Sequence, residues 1–155
     1  PCSSVWLVTS QRRRLDGFHA RCLRKILRVA PAFVSRVSNA TVFGRAHVRP
    51  FSEQLLQTQL VLLGKVARSP DNDPLRQDTF APGTVRPQIG RYVQRVGRPR
   101  QHWTGELIKI GTARMGATRF ELLLTDRSTG AQKRWKHEVR RLFAGSGDHS
   151  NGSRP

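Results

Sequence analysis

The sequence predicts a mainly α-helical fold, and two observations carry this prediction. Several segments repeat apolar residues at three- and four-residue intervals, which is the spacing of an amphipathic helix. Capping residues or prolines bound most of these segments. We expect a small cluster of about three helices after a short N-terminal strand (residues 1–68), a Pro-rich linker (69–90), a basic helical part (91–143) and a disordered tail (144–155).

The first helix is predicted between residues 11 and 29, after a β-branched, apolar strand over residues 3–9. Pro31 sets the end of this helix. Its packed stripe is predicted to consist of Leu15, Phe18, Cys22, Leu23, Ile26 and Leu27. Most of its remaining surface is predicted to be basic and to carry Arg12, Arg13, Arg14, Arg21, Arg24, Lys25 and Arg28.

Two further helices complete the predicted cluster. Ser38 or Asn39 can cap a short second helix. Ser52 can cap a third helix, which has apolar residues almost all round between residues 55 and 67. Such a distribution is typical of the central element of a small helical cluster.

The linker contains four prolines and is expected to be irregular. Beyond it, Trp103 opens a segment with helical spacing, although Gly105 and Gly111 weaken that prediction. Residues 120–124 suit either a strand or a helical turn.

A basic amphipathic helix is predicted over residues 132–143. Its apolar side begins with Trp135. We expect Trp103 and Trp135 to be the aromatic anchors of the C-terminal part.

The charge of the chain is large and segregated. Lys and Arg number 28 against 10 Asp and Glu, which gives a formal charge of +18. Residues 1–50 and residues 91–143 each carry a net +9, whereas residues 51–90 are neutral. Two basic lobes favour a polyanionic partner, and nucleic acid in particular, over a surface tuned for solubility. A membrane partner is not expected, because no Lys-rich amphipathic helix stands beside an exposed aromatic face.

Three groups of basic residues are the candidate phosphate contacts. In the most informative motif, Gly97–Trp103, Pro99 holds two arginines in extended backbone between a glycine and an aromatic residue. If about six cations neutralise phosphates, log K should fall against log salt with a slope near −5. We expect backbone contacts with little sequence preference. The candidate binding residues are Arg12, Arg13, Arg14, Arg21, Lys25, Arg28, Arg91, Arg95, Arg98, Arg100, Lys133, Arg134, Lys136, Arg140 and Arg141.

No catalytic, metal or cofactor site is predicted. The acids are scattered, and neither a phosphate-binding loop nor a nucleophile elbow occurs. The histidines are widely spread and there is no Cys-x-x-Cys. Cys2 and Cys22 are too few for a disulfide framework, which favours a reducing compartment. Pro1 in place of an initiator Met suggests a fragment of a longer polypeptide.

Five motifs follow one another along residues 2–110. They are a Cys-x-x-x-Trp strand over 2–9, a basic helix over 14–27, a second helix over 38–46, a helix over 60–68 that contains Leu-Gly-Lys-Val-Ala-Arg, and Gly-Arg-Pro-Arg-Gln-His-Trp over 97–103. In this order they resemble the region downstream of the polymerase domain in LINE-type (non-LTR) retrotransposon reverse transcriptases. Lys65 stands where that family usually has histidine, and the palm aspartates and the zinc knuckle of some relatives are absent.

The resemblance implies a piece of an RNA-directed DNA polymerase that works by target-primed reverse transcription. Such a piece would hold RNA, the primer strand or their hybrid beside the palm, without polymerising on its own. It implies an intracellular, nuclear location. We expect no small-molecule substrate, and protein partners stay open.

Other interpretations stay open at this point. A structural RNA-associated protein of a ribonucleoprotein particle would have the same arginine-rich lobes. A decayed retroelement fragment without function would have inherited the charge. The Gly97–Pro99 core also resembles the minor-groove hook of chromatin proteins, although Val96 interrupts the basic flank that such a hook needs.

Overall fold

The computed structural model describes residues 7–88 and 103–144, and these residues are mainly helical, as predicted. No strand occurs in this part of the chain, where Phe80 and Pro87 form an isolated antiparallel bridge. The described helices are α1 (Thr9–Ile26), α2 (Ala32–Ser35), α3 (Asn39–Ala46), α4 (Phe51–Arg68), α5 (Pro74–Thr79), α6 (Trp103–Met115), α7 (Ala117–Thr125) and α8 (Ala131–Ala144).

The chain divides into two compact units. The N-terminal unit contains Leu7–Leu56 and also Phe143 and Ala144, and the C-terminal unit contains Gln57–Leu142. The division therefore falls inside α4, whereas the first boundary was expected after residue 68. The reason is that the second half of α4 supplies core residues to the C-terminal unit, as described below.

Helix α1 begins earlier than expected. The backbone N–H of Val8 donates to Oε1 of Gln11 at 3.0 Å, which fixes the first turn. Thr9, the last residue of the predicted strand, therefore belongs to the helix. Residues 3–6 of that strand lie outside the described residues.

The buried face of α1 differs from the predicted stripe. His19, Ala20 and Arg24 are buried, whereas Phe18 and Ile26, which were expected to pack, are exposed. The physical reason is the position of α3, which packs on α1 and brings Phe43 to within 5.1 Å of the His19 ring. Apolar periodicity alone could not locate this contact, because polar residues occupy two of the buried positions.

Helix α3 begins as predicted, because the Ser38 hydroxyl accepts a hydrogen bond from the Thr41 backbone N–H at 3.0 Å. Helix α4 starts at Phe51, one residue before the cap predicted at Ser52. The short α2 was not predicted.

The segment expected to be an irregular linker contains a helix. Asp73 caps α5 by accepting hydrogen bonds from the backbone N–H groups of Leu75 and Arg76. The side chain of Arg76 is buried and donates to Asp71 at 2.8 Å, to the Thr84 carbonyl at 3.3 Å, and to the Ala67 carbonyl. Pro74 stands at the first helical position, where proline favours a helix. The expectation of an irregular linker treated this proline only as a helix breaker.

The core of the C-terminal unit forms around Trp135 of α8. Its side chain is fully buried, and its indole Nε1–H donates to the Leu60 carbonyl of α4 at 2.8 Å. The Phe120 ring meets it edge-on, with ring centroids 5.6 Å apart. Gly64 and Gly111 leave room for these rings, because a Cβ on Gly64 would overlap Trp135 and one on Gly111 would overlap Phe120. Gly111 is therefore a packing residue inside α6 rather than a helix breaker.

Both remaining C-terminal segments, residues 120–124 and residues 132–143, are helical. Residues 120–124 lie within α7, and the basic helix predicted over 132–143 is α8. The Gly97–Trp103 motif before Trp103 and the tail from residue 145 lie outside the described residues.

Candidate nucleic-acid interface

The outer face of α1 carries exposed cations that the fold does not use. Arg14, Arg21 and Lys25 are exposed and form no ion pair or side-chain hydrogen bond within residues 7–88 and 103–144. At 3.6 residues per turn, these three positions and Phe18 fall within an arc of about 60° of the helix surface. From Arg14 to Lys25 the face runs for about 16 Å along the axis. We call Arg14, Phe18, Arg21 and Lys25 the α1 face.

The N-terminal unit offers almost no negative charge to balance this face. Asp16 is the single acid among residues 1–52, and Glu53, half-buried in the first turn of α4, is the other acid of Leu7–Leu56. The Asp16 carboxylate accepts the backbone N–H of Ser52 at 2.9 Å and the Ser52 hydroxyl at 2.6 Å. These bonds hold it at the start of α4, about 200° around the helix from Arg14 and so on the side of α1 away from the α1 face.

The other predicted cations of α1 have different surroundings. Arg13 is exposed and, like the α1 face, is unpaired within the described ranges. Arg12 is half-buried, and its Nε–H donates to the Leu7 carbonyl at 2.9 Å. Arg28 lies beyond the end of α1 with a φ of 54° and is exposed.

Arg24 was predicted on the basic surface, but the structure buries it. Its guanidinium donates to the Val37 carbonyl at 2.6 Å and to Oδ1 of Asn39 at 3.1 Å, with longer bonds to Ala30 and Ser35. This side chain ties the end of α1 to the segments around α2 and α3. It is a structural residue and cannot reach a phosphate.

The C-terminal group of cations lies on α8 in the other unit. Lys133, Lys136 and Arg140 share one exposed face at three- and four-residue spacing, and none forms an ion pair with a described residue. Arg134 and Arg141, also predicted contacts, are instead paired with carboxylates.

Those two ion pairs have different settings. Arg134 lies 2.6 Å from Asp126, and this guanidinium with the Ser128 donors holds the pKa of the Asp126 carboxyl well below its ordinary value. Arg141 lies 2.9 Å from the buried carboxylate of Glu138, which also pairs with Arg119 at 3.1 Å. A phosphate would have to compete with these carboxylates for either arginine.

The second predicted group, Arg91, Arg95, Arg98 and Arg100, lies outside the described residues. Of the two predicted aromatic anchors, Trp103 is half-buried at the start of α6 and Trp135 is the buried centre of the C-terminal core. Trp135 therefore anchors the fold and has no surface to offer a ligand.

Arg68 is a cation that sequence reasoning left unassigned. It donates to the carbonyl of Asp126 at 3.0 Å and to Oε1 of Gln132 at 3.2 Å, and also to the carbonyls of Gly64 and Leu123. Burial lowers the pKa of this guanidinium from its ordinary value, yet it remains charged. Gly64 lies one turn earlier in α4, but Leu123 and Asp126 lie 55 and 58 residues away in sequence, so no local sequence pattern could have revealed the role of Arg68.

A cavity of about 440 Å³ lies beside α5, with Phe80, Pro82 and Gln88 in its wall. Arg76 also lines it, but that guanidinium already serves Asp71 and two carbonyl groups. The cavity is therefore unlike a phosphate site, which needs donors that are not already engaged.

Comparisons with protein-family models, with curated proteins and with solved structures found no match. The described residues contain no group of three or more His, Cys, Asp or Glu side chains that could hold a metal ion. None of the described helices is both long and apolar enough to cross a membrane.

Proposed function

We propose that this chain is a non-catalytic nucleic-acid-binding segment that grips RNA or an RNA–DNA hybrid through phosphate contacts. The observation that carries the proposal is the α1 face, on which Arg14, Arg21 and Lys25 are exposed and unpaired in a stretch with a single, engaged acid. Exposed cations without an internal ion pair have no such pair to break when they meet a phosphate, which makes them better phosphate contacts than paired arginines.

The α8 cations would make phosphate contacts of their own, in the other unit. Lys133, Lys136 and Arg140 supply three further charges without internal ion pairs among the described residues. With Arg13 included, α1 carries four exposed cations without an ion pair among the described residues, and α8 carries three. Arg134 and Arg141 would contribute less, because each would first have to leave a carboxylate.

The family proposal rests on the order of five motifs, and it identifies the chain with the post-polymerase region of a LINE-type reverse transcriptase. In that role the segment would hold template or hybrid while another part of the polypeptide carries out the chemistry. The location proposed with it is nuclear.

A salt series tests the proposal directly. A labelled RNA–DNA hybrid is titrated with the full chain at several salt concentrations, and log K is plotted against log salt. Six phosphate contacts predict a slope of about −5. Weak binding with a slope near zero would reject both the proposal and the alternative of a structural RNA-associated protein.

A further inference from the structure

The exposed phenylalanine rings of the described residues lie in the unit that contains the α1 face. Phe18, Phe33 and Phe51 are the exposed phenylalanines, and all three belong to the N-terminal unit. Phe51 has a partner inside the fold, because it stacks on His19 with ring centroids 3.7 Å apart. Phe18 and Phe33 have no ring partner within the described ranges, and they are 54% and 86% exposed.

Phe18 lies inside the α1 face. It follows Arg14 by four residues and precedes Arg21 by three, so cations stand on either side of it on the same side of the helix. A polyanion that follows these cations along α1 must pass over this ring.

Phe33 stands in a similar setting on α2. Arg36 follows it by three residues, takes a φ of 52°, and is exposed. Val34 beside it is also exposed. No acid occurs between residues 17 and 52. Asp16 precedes Phe18 by two residues, and its carboxylate is hydrogen-bonded to Ser52.

Rings and cations together have a specific use in nucleic-acid binding. In a duplex the bases are already stacked, so a protein that grips only phosphates gains nothing from an exposed phenylalanine. In a single strand the bases are available, and aromatic side chains bind them by stacking while cations follow the backbone. Exposed rings therefore distinguish a site that binds single strands from a site that contacts only the phosphate backbone.

From this arrangement we infer that the N-terminal unit binds single-stranded nucleic acid, with bases stacked on Phe18 and Phe33 and phosphates on the neighbouring cations. The inference rests on the proposed function and narrows its ligand class. Stacking does not depend on base identity, so little sequence preference is expected.

The test compares a labelled single strand of about 20 nucleotides, longer than common single-strand site sizes, with a duplex of the same length. The full chain is titrated with each. The structure predicts tighter binding of the single strand. Replacing both rings, in the variant Phe18→Leu with Phe33→Leu, should weaken single-strand binding by about five- to 150-fold for each ring that stacks on a base. Duplex binding should change little.

A matched variant isolates the ring itself. Phe18→Tyr with Phe33→Tyr keeps both rings and should retain single-strand affinity, whereas leucine keeps apolar surface without a ring. Both positions are exposed, so circular dichroism should show the same helix content for the three proteins. Substituting Leu122, an exposed apolar residue of the C-terminal unit, should leave binding unchanged.

The outcomes separate the inference from the proposal beneath it. Equal binding of single strand and duplex, with no effect of the leucine variant, would overturn the single-strand assignment while the phosphate grip stands. Loss of binding to anionic phospholipid vesicles in the leucine variant, with unchanged single-strand affinity, would assign the rings to a lipid surface instead. Absence of binding to both nucleic acids would reject the proposed function itself.

Discussion

The carboxylate of Asp16 in α1 holds Ser52 in α4 with two hydrogen bonds, to the backbone N–H at 2.9 Å and to the hydroxyl at 2.6 Å. Ser52 is the second residue of its helix, where a backbone N–H has no carbonyl partner within the helix. One acid therefore joins two helices of the N-terminal unit and supplies a cap to the second. It is the single acid of residues 1–52, and it falls on the side of α1 away from the α1 face, whose members have no acid three or four residues away along the helix.

Asp16→Ala should destabilise the protein without weakening nucleic-acid binding. The change removes two hydrogen bonds and leaves two donors of Ser52 without their partner, which predicts a loss of about 1–3 kcal/mol in the free energy of unfolding. Urea titration followed by circular dichroism measures this loss. Glu53→Ala should lower the free energy of unfolding by less, because the Glu53 side chain forms no hydrogen bond or ion pair with the described residues. A weaker affinity in folded Asp16→Ala would show that the acid takes part in binding.

Arg24→Leu should be among the most destabilising substitutions in the N-terminal unit. It removes donors from the Val37 carbonyl and from Asn39 in a buried setting, and hydrogen bonds from a charged group contribute about 1.5–3 kcal/mol each. Arg24→Lys keeps the charge but not the planar fork, so it should also lose stability. Arg21→Leu, on the exposed face of the same helix, should change the free energy of unfolding by no more than about 0.5 kcal/mol. Equal stability of the Arg24 and Arg21 variants would contradict the structural role of Arg24.

Gly64→Ala should destabilise the C-terminal unit. The added Cβ would overlap the indole of Trp135, which is fully buried and bonded to the Leu60 carbonyl. Overpacking of this kind costs about 1–3 kcal/mol. Gly105→Ala in α6 is the control, because its Cβ would meet nothing, and it should stabilise the helix by about 0.5–1 kcal/mol. The melting temperatures of the two variants should therefore move in opposite directions.

The ion pair of Asp126 with Arg134 predicts a pH dependence of stability. The hydrogen bonds from Arg134 and Ser128 lower the pKa of the Asp126 carboxyl from its ordinary value of 3.8. A carboxyl whose pKa is lower in the folded state stabilises that state above its unfolded pKa, and this contribution is lost as the pH falls through the folded pKa.

Asp126→Asn should therefore lower the melting temperature by a constant amount between about pH 7 and about pH 5, and the difference from the unmodified chain should shrink below that range. Glu121→Gln, at an exposed acid that forms no ion pair in the described residues, should show no such trend. The lowered pKa would be contradicted if the difference in melting temperature between Asp126→Asn and the unmodified chain stayed the same down to the lowest pH at which the protein folds.

Apolar spacing and caps were enough to predict most of the helices, but not which face of each is buried. The mainly helical class, the Ser38 cap and the amphipathic α8 followed from local signals. The buried side of α1 did not, because it depends on where α3 packs and includes His19 and Arg24, whose types suggest surface positions. The same limit applies to Phe18, which the pattern assigned to the core.

The candidate site was predictable as a set of cations but not as a geometry. The sequence singled out Arg14, Arg21 and Lys25, yet it gave equal weight to Arg134, whose carboxylate partner lies eight residues earlier, in the loop before α8. Whether an arginine is free or engaged depends on tertiary partners that spacing does not reveal. The helix α5 was missed because proline at a first helical position was interpreted as a breaker.

The most direct test of the central claim compares two variants that lose the same charge. The first variant replaces three cations of the α1 face with glutamine: Arg14, Arg21 and Lys25. The second replaces three exposed cations of the C-terminal unit with glutamine: Arg86, Lys109 and Arg127. Binding to an RNA–DNA hybrid is measured across a salt series for both. The α1 variant should lose affinity, and its log–log slope should become shallower by about 2.7, while the other variant keeps the slope of the unmodified chain. Equal slopes for the two variants would show that overall charge, and not the α1 face, draws the nucleic acid.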